Sequence, residues 1–253
     1  VPCVFAGRVG ADPAGRDAVA ALRSHGVIVK VSIDPNTPTG VCLVLVDPDG
    51  ERTMVPSAGA NATLSPADLG TDLLTGEDHL HLSGYPLLSE GSRPAALFAL
   101  RVASSVGASV SVDAASAGPI RTVGAERFLD WLPAGSLLLA NADELAALTG
   151  DDDAPELAAG GADQDAAIAT LVARQLTVVL KCGSRGSVLG TAAGVWRAPA
   201  EPVEVLDSTG AGDAFAAGLL AARWAGAEWT VALAQGNRLG AAAVGILGTR
   251  PSI

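Results

Sequence analysis

An α/β fold built on a mainly parallel sheet with helices on both faces is what this sequence predicts, and three observations carry the prediction. Short apolar runs such as "SLLLAN" and "LTVVLKCG" alternate with longer amphipathic runs over most of the 253 residues, the pattern of strands covered on both sides by crossover helices. Polar, glycine-containing stretches ("LAN-ADE", "KCGSRG", "LDSTGAGD") follow the strand-like runs, on the rim where such sheets bind ligands. The chain is 49% apolar and only 17% charged, so it can bury a sizeable core.

The elements follow in order. "VFAG" opens a strand, and the helix "PAGRDAVAALRSHG" is started by Pro13 and stopped by Gly26. "TGVCLVLVDPDGERTMV" reads as a β-hairpin turning at Asp47-Pro48-Asp49-Gly50. "NATLSPADL" is a turn and a short helix with Pro66 in its first turn. "HLHLSG" and "ASVSVDA" are strands separated by a helix within "SEGSRPAALFALRVASSVG". "SLLLAN" is a strand that leads into the helix "ADELAALTG", and residues 150–165 read as an acidic, solvated loop around a helix start. "LTVVLKCG" is the next strand, followed by a hairpin through "SRGSVLG". "VEVL" then feeds "DSTGAGDAFAAGLLAA" (207–222), and a last helix spans Thr230 to Val244. With no internal repeat and no long linker, residues 1–253 are expected to form a single domain.

Bulk properties narrow the partners. A net charge of −11 argues against nucleic acid or an anionic membrane surface. It leaves room for a small anion, which backbone amides can bind inside an acidic protein. Cys3, Cys42 and Cys182 are far apart and show no CxxC pairing, which predicts neither disulfides nor zinc and favours the reducing cytoplasm. No apolar run reaches the roughly 18 residues of a membrane span. The opening "VPCVFAGRVG" has neither an initiator methionine nor a basic n-region and begins in strand-like sequence, so a longer polypeptide is expected.

The residues that could carry chemistry lie on the predicted rim. Gly210 and Gly212 allow a tight turn, and the amides of Gly210, Ala211 and Gly212 precede a helix starting near Asp213. Unpaired N–H groups and the helix dipole together make an anion site. Asp213 reads equally as a helix-start acid or as a base beside that site. Asn141 and Glu144 follow a strand end three residues apart and share one helix face. That spacing suits a capping pair, and equally a hard cation that prefers oxygen ligands. Lys181, Gly183 and Gly186 sit on a strand-end turn, with Lys181 either solvated or beside a ligand. His79 and His81 share one strand face without metal-ligand spacing and read, like His25, as packed or surface groups. Trp196, Trp224 and Trp229 read as packing residues, and Asp151–Asp153 as a solvated run.

The string Asp207-Ser208-Thr209-Gly210-Ala211-Gly212-Asp213-Ala214-Phe215 resembles the C-terminal signature of the PfkB (ribokinase-like) carbohydrate kinases. Further stretches are similar to that family in the same order. They are "GRVGADPAGRDAVAALRSHGV", the hairpin "TGVCLVLVDPDGERTMVPSAGAN", Asn141-Ala142-Asp143-Glu144 as an NxxE motif, "KCGSRG" and "GTRPSI". The resemblance implies a three-layer ribokinase-like fold with a small β lid from the hairpin at about 28–60, partly missing at the N-terminus. It implies Asp213 as general base and the Gly210, Ala211 and Gly212 amides as anion hole. Asn141 and Glu144 would support Mg2+, partly through water. ATP would be flanked by Lys181, Gly183, Gly186 and, on the last helix, Asn237. A monovalent cation site for K+ would use Asp207 and Thr209 with Ala243, Ile246, Gly248 and Ser252, mostly through carbonyls.

The chain also departs from the family pattern. The first strand with its substrate-binding aspartate and the GGxxxN segment are not in it, and "VDAASAGP" at Asp113 lacks the asparagine and arginine common in relatives. Gly84 and Tyr85 of "SGYP" would lie near the sugar, and no lysine or arginine cluster accompanies them, which favours a neutral substrate. The expected activity is ATP-dependent phosphorylation of a sugar hydroxymethyl group by a cytoplasmic enzyme, possible as a homodimer through the lid. The alternatives are a nucleoside or vitamin kinase of the same superfamily, or a non-catalytic nucleotide- or sugar-binding relative.

Overall fold

A computed structural model describes residues 1–46, 52–70, 72, 74–150, 157, 159–246 and 248. Two units are distinguished, one of Pro2–Leu80 with Tyr85–Ser109, the other of Val1, His81–Gly84 and Val110–Ile253. In the first, β1 (Val4–Gly10), α1 (Pro13–Ser24) and β2 (Ile28–Asp34) form a parallel pair with its crossover helix. Asp12 caps α1, its Oδ1 accepting the Gly15 amide at 2.8 Å, with Pro13 beginning the helix. The same carboxylate accepts Thr39 Oγ1 at 2.6 Å and Thr39 N at 2.7 Å, so one side chain fixes both a helix start and a distant loop.

β3 (Val41–Val46) and β4 (Arg52–Ser57) pair antiparallel, Val41 opposite Ser57, as the hairpin reading expected. Its predicted turn, Asp47 to Gly50, lies outside the described residues. Both faces of this ribbon are apolar and exposed: Leu43 and Val55 lie on one, Val44 and Met54 on the other. β5 (His79–Ser83) comes next, followed by the short α2 (Tyr85–Leu88) and by α3 (Arg93–Val106), which a left-handed Gly107 terminates.

A charge cluster ties β1 to β2. Arg8 donates through Nη1 to Asp68 Oδ1 at 2.8 Å and through Nη2 to Asp34 Oδ2 at 3.0 Å. Asp34 also accepts the Asn36 and Thr37 amides, each at 2.9 Å, and Thr63 Oγ1 at 3.0 Å. Those two amides first, then Arg8 and Thr63, hold the Asp34 carboxyl far below the usual carboxylate range despite its desolvation. Asp12 is lowered as well, chiefly by Thr39. A carboxylate depressed in the folded state stabilises above its unfolded pKa of about 3.9 and loses that contribution as pH falls through the folded value. Thermal melts are therefore expected to lose this contribution steadily below about pH 4. Asp34→Asn should shrink that acid-side loss, and an unchanged acid dependence in the variant would contradict the assignment.

The second unit continues with β6 (Ser109–Asp113), α4 (Ala117–Val123), α5 (Ala125–Asp130), β7 (Leu137–Asn141) and α6 (Ala142–Thr149). It ends with α7 (Ala162–Val172), β8 (Thr177–Lys181), β9 (Ser187–Thr191), β10 (Gly194–Ala198), α8 (Ala211–Trp224) and α9 (Trp229–Val244). The sheet order is β10-β9-β8-β7-β6-β5, with β6, β7 and β8 mutually parallel and β9 and β10 turning antiparallel. Strand alternation sends Leu137, Leu139, Val179 and Leu189 to one face, where Phe215 and Leu219 of α8 and Leu233 of α9 pack. Leu138 and Leu180 are buried on the other, which α6 and α7 cover. Each fully buried leucine contributes about 1.5–3 kcal/mol.

Two local expectations are corrected. "VEVL" does not join the sheet: Leu206 is 53% exposed, and the Leu206 and Asp207 amides both donate to Val244 O at the end of α9. α8 starts at Ala211 rather than near Asp213, because Gly210 takes the left-handed cap position. α4 and α5, joined at Gly124 (φ +95°), have no counterpart in the sequence reading. Asp151–Asp153 lie outside the described residues. No helix among the described residues is long and apolar enough to cross a membrane.

Candidate active site

The site grows from a glycine turn. Gly210 has φ +80°, a conformation that costs an L-residue about 1–2 kcal/mol, and it begins α8 without a side-chain cap. The Ala211 amide folds back onto Ser208 O at 3.3 Å, and the first regular helical bond runs from Ala214 N to Gly210 O at 2.9 Å. Of the three amides singled out by sequence, that of Ala211 is thus engaged within the turn. Those of Gly210 and Gly212, joined by Asp213's, meet no acceptor among the described residues. Asp213 itself is exposed in this first turn, beside the open donors.

Lys181 reaches the same turn from the end of β8. Its Nζ lies 3.4 Å from where a Cβ on Gly212 would stand and donates to Asp113 Oδ2 at 2.6 Å. The solvated-lysine reading does not hold, since the Lys181 and Asp113 side chains are only 16% and 14% exposed. Asp113 ends β6, and its Oδ1 accepts the Ala115 amide at 3.0 Å. Ala115 has φ +70°, a strained position for alanine of the kind that gathers at functional sites. Gly84, just after β5, lies so close to the Asp113 and Ala114 carbonyls that a Cβ would stand 2.5 and 2.8 Å from them. His81 Nδ1 is 2.8 Å from Ser111 Oγ, and the ring lies within electrostatic reach of Asp113, Asp213 and Lys181.

Asn141 and Glu144 form a closed capping box at the start of α6. Asn141 Oδ1 accepts the Glu144 amide at 2.9 Å; Glu144 Oε2 accepts the Asn141 amide at 2.8 Å and Oε1 its Nδ2 at 3.1 Å. Glu144 is only 4% exposed. Burial pushes its carboxyl above the ordinary value, Asp113 and Asp143 add to this, and Lys181 and the Asn141 amide oppose it.

The remaining predicted residues fall into two other groups. Asn237 is buried and donates through Nδ2 to Ala198 O at 2.9 Å and Pro199 O at 3.2 Å. Gly186 (φ +90°) approaches the same segment, its absent Cβ pointing at Ala198 O, while Gly183 (φ +58°) has open space around it. Asp207 accepts the Thr209 amide at 2.8 Å and the Gly248 amide at 3.0 Å, linking the glycine turn to the segment after α9. Ala243 O accepts the Ile246 amide at 3.4 Å, and Ser252 lies outside the described residues. No group of three or more His, Cys, Asp or Glu able to hold a metal occurs among the described residues.

Sequence reasoning thus placed Asp213, Gly212 and Lys181 without showing that they meet. It missed Asp113 and His81 as members of the cluster. The available signals were an acid ending the run "ASVSVDA" and the alternation of "HLHLS", which aims His81 to the same side as His79.

Comparison with known proteins fits this geometry. A family described as pfkB family carbohydrate kinase matches residues 1–253. An ATP-dependent ribose-1-phosphate kinase of Halopiger xanaduensis is 34% identical over 245 residues, covering 96% of this chain and 75% of that protein. The adenosine kinase structure from Sinorhizobium meliloti has a TM-score of 0.87 at 24% identity, covering 100% of this chain and 75% of that one. The aminoimidazole riboside kinase from Salmonella enterica, solved with aminoimidazole riboside and an ATP analog, has a TM-score of 0.79 at 27% identity, covering 98% and 80%. The expected ribokinase-like architecture is borne out.

Proposed function

The chain belongs to the pfkB family of carbohydrate kinases and is a phosphotransferase acting on sugar hydroxyl groups; we propose that it transfers the γ-phosphoryl group of ATP to a hydroxymethyl group of a neutral sugar or riboside. The observation that supports this most is the first turn of α8, where an exposed carboxylate stands beside amides that meet no backbone acceptor among the described residues. Phosphoryl transfer asks for positioning, charge stabilisation and a proton acceptor. Asp213 takes the proton of the attacking hydroxyl as general base. The amides of the Gly210–Gly212 turn hold the oxygens on which charge develops. Lys181, Gly183, Gly186 and Asn237 form the nucleotide side, Gly186 and Asn237 by shaping the segment after β10 rather than by free polar groups.

Asn141 and Glu144 suit a magnesium ion that keeps most of its waters, since together they offer one carboxylate and one amide oxygen. When bound, the ion neutralises phosphate charge; the chain's own contribution is to hold Glu144 rigid through the capping box. Glu144→Gln preserves a capping box while removing the charge. It is expected to raise the Mg2+ concentration for half-maximal activity by about tenfold or more, with a modest fall in melting temperature because the glutamine keeps one acceptor for the Asn141 amide and sets its own NH2 against Asn141 Nδ2. An unchanged Mg2+ dependence would leave Glu144 as a cap alone.

Asp207 and Thr209, with the carbonyls of Ala243, Ile246 and Gly248, form the K+ site; Ser252, the last residue of the expected set, lies outside the described residues. Activity in K+ should then exceed that in a large organic cation. We read residues 1–253 as one kinase domain in which the hairpin within about 28–60 is the lid element. The apolar ribbon faces of β3 and β4 suit coverage by a second copy. All three cysteines are free, in keeping with a cytoplasmic enzyme.

A phosphorylated sugar, as the name of the Halopiger xanaduensis relative suggests, is the second reading. Against it, no lysine or arginine cluster accompanies Gly84 and Tyr85 in the sequence. The deciding assay follows ADP release by the full-length protein with ATP and Mg2+ over sugars, nucleosides and ribose 1-phosphate. Turnover on a neutral sugar or riboside is expected; a preference for ribose 1-phosphate would select the second reading, and no turnover on any acceptor would overturn both.

A further inference from the structure

We infer that Lys181 is a catalytic residue whose ammonium contacts the transferring phosphoryl group, with Asp113 as the positioning residue that holds it there. The inference rests on the kinase reading above and moves Lys181 from the nucleotide's flank to the reacting phosphorus. Two features of the geometry carry it. Lys181 and Asp113 are not on neighbouring strands: β7 runs between β8 and β6, with Asn141 in register with Lys181 and Leu139 with Asp113. Their 2.6 Å ion pair therefore arches over the end of β7, at the carboxyl rim of the sheet. The ammonium also stands 3.4 Å from the Cβ position of Gly212, against the first turn of α8.

A cation there is out of place by the ordinary rule, since a helix N-terminus carries partial positive charge and favours anions. A strand-end lysine that merely needed a partner could swing to solvent. Instead a carboxylate holds it against the turn, and that carboxylate is itself fixed, with Oδ1 taken by the left-handed Ala115 amide and Oδ2 by Lys181. Side chain and turn thus converge positive charge on one spot beside Asp213, and an arriving phosphoryl group satisfies both. In the step, the bond from the acceptor oxygen to Pγ forms as the bond from Pγ to the β–γ bridging oxygen breaks. The electron pair leaves with ADP and the hydroxyl proton goes to Asp213. Lys181 keeps its protons and offsets charge on the equatorial oxygens, a role worth about 10²–10³ in kcat where single donors have been removed.

The test compares wild type with Lys181→Met, Lys181→Gln, Lys181→Arg and Asp113→Asn in the ADP-release assay. Binding of ADP alone and of ADP with aluminium fluoride, a mimic of the transferring group, is measured calorimetrically in parallel. Lys181→Met and Lys181→Gln should lose about 10²–10³ in kcat with the sugar KM little changed, and Lys181→Arg should recover part of the loss. Asp113→Asn should lower kcat without moving the ADP affinity. The aluminium fluoride complex should weaken at least tenfold in Lys181→Gln while ADP alone binds as in wild type. Full kcat in both neutral variants of an active wild type overturns the inference and leaves the kinase reading standing. Equal weakening of ADP alone returns Lys181 to the nucleotide's flank. A wild type that neither turns over nor binds the mimic overturns the kinase reading and this inference with it.

Discussion

Asp213→Asn is expected to lower kcat by about 10³, within the range of about 10²–10⁴ for loss of a positioned general base. Asparagine keeps the size of the side chain and serves equally well at a helix start, so the melting temperature should stay within a degree or two, about 0.5 kcal/mol. KM for ATP should change little, because the donors of the glycine turn are backbone amides that the substitution leaves in place. Loss of kcat at constant stability and constant KM is the signature of a group needed only in the transition state. Undiminished turnover in the variant would remove Asp213 from the chemistry and leave it as a first-turn acid of α8.

Gly186→Ala is the second large effect, and it falls on stability. At φ +90° an alanine pays about 1–2 kcal/mol of backbone strain. Its Cβ would also overlap Ala198 O and lie 2.6 Å from Ala200 N and 2.7 Å from the Pro199 carbonyl carbon. These are backbone atoms, and Asn237 donates to the Ala198 and Pro199 carbonyls of the same segment, so the segment cannot shift freely; overpacking of this kind costs about 1–3 kcal/mol more. The sum, about 2–5 kcal/mol, corresponds to a fall in melting temperature of roughly 5–15 °C for a chain of this size. Gly183→Ala is the control: φ is +58°, nothing stands within 4 Å of its Cβ, and only the strain should register. Circular dichroism melts of the pair decide it, and equal melting temperatures would refute the packing argument.

Signals confined to a few neighbouring residues are legible in the sequence. Pro13 and Gly26 bracket α1, the spacing of Asn141 and Glu144 becomes a capping box, and the alternation of residues 41–46 and 52–57 becomes β3 and β4. "VEVL" misled because four apolar-alternating residues promise a strand only if a neighbour completes the ladder; here the Leu206 and Asp207 amides turn to Val244 instead. α4 and α5 escaped because their helices are short and joined by a glycine, too brief for a period to register.

Determined by sequence alone were the alternation of strands and helices, the glycine turn with its acid, and through nine consecutive residues the family and its reaction. Those depend on local backbone preference and on a contiguous string, which need no partner. Tertiary structure alone decided which amides of the turn stay open, and that Lys181 is no free lysine. The residue that holds it, Asp113, is 68 positions away. Strand order brings β6 and β8 to either side of β7, and an ion pair across that gap leaves no periodic or compositional trace in either segment.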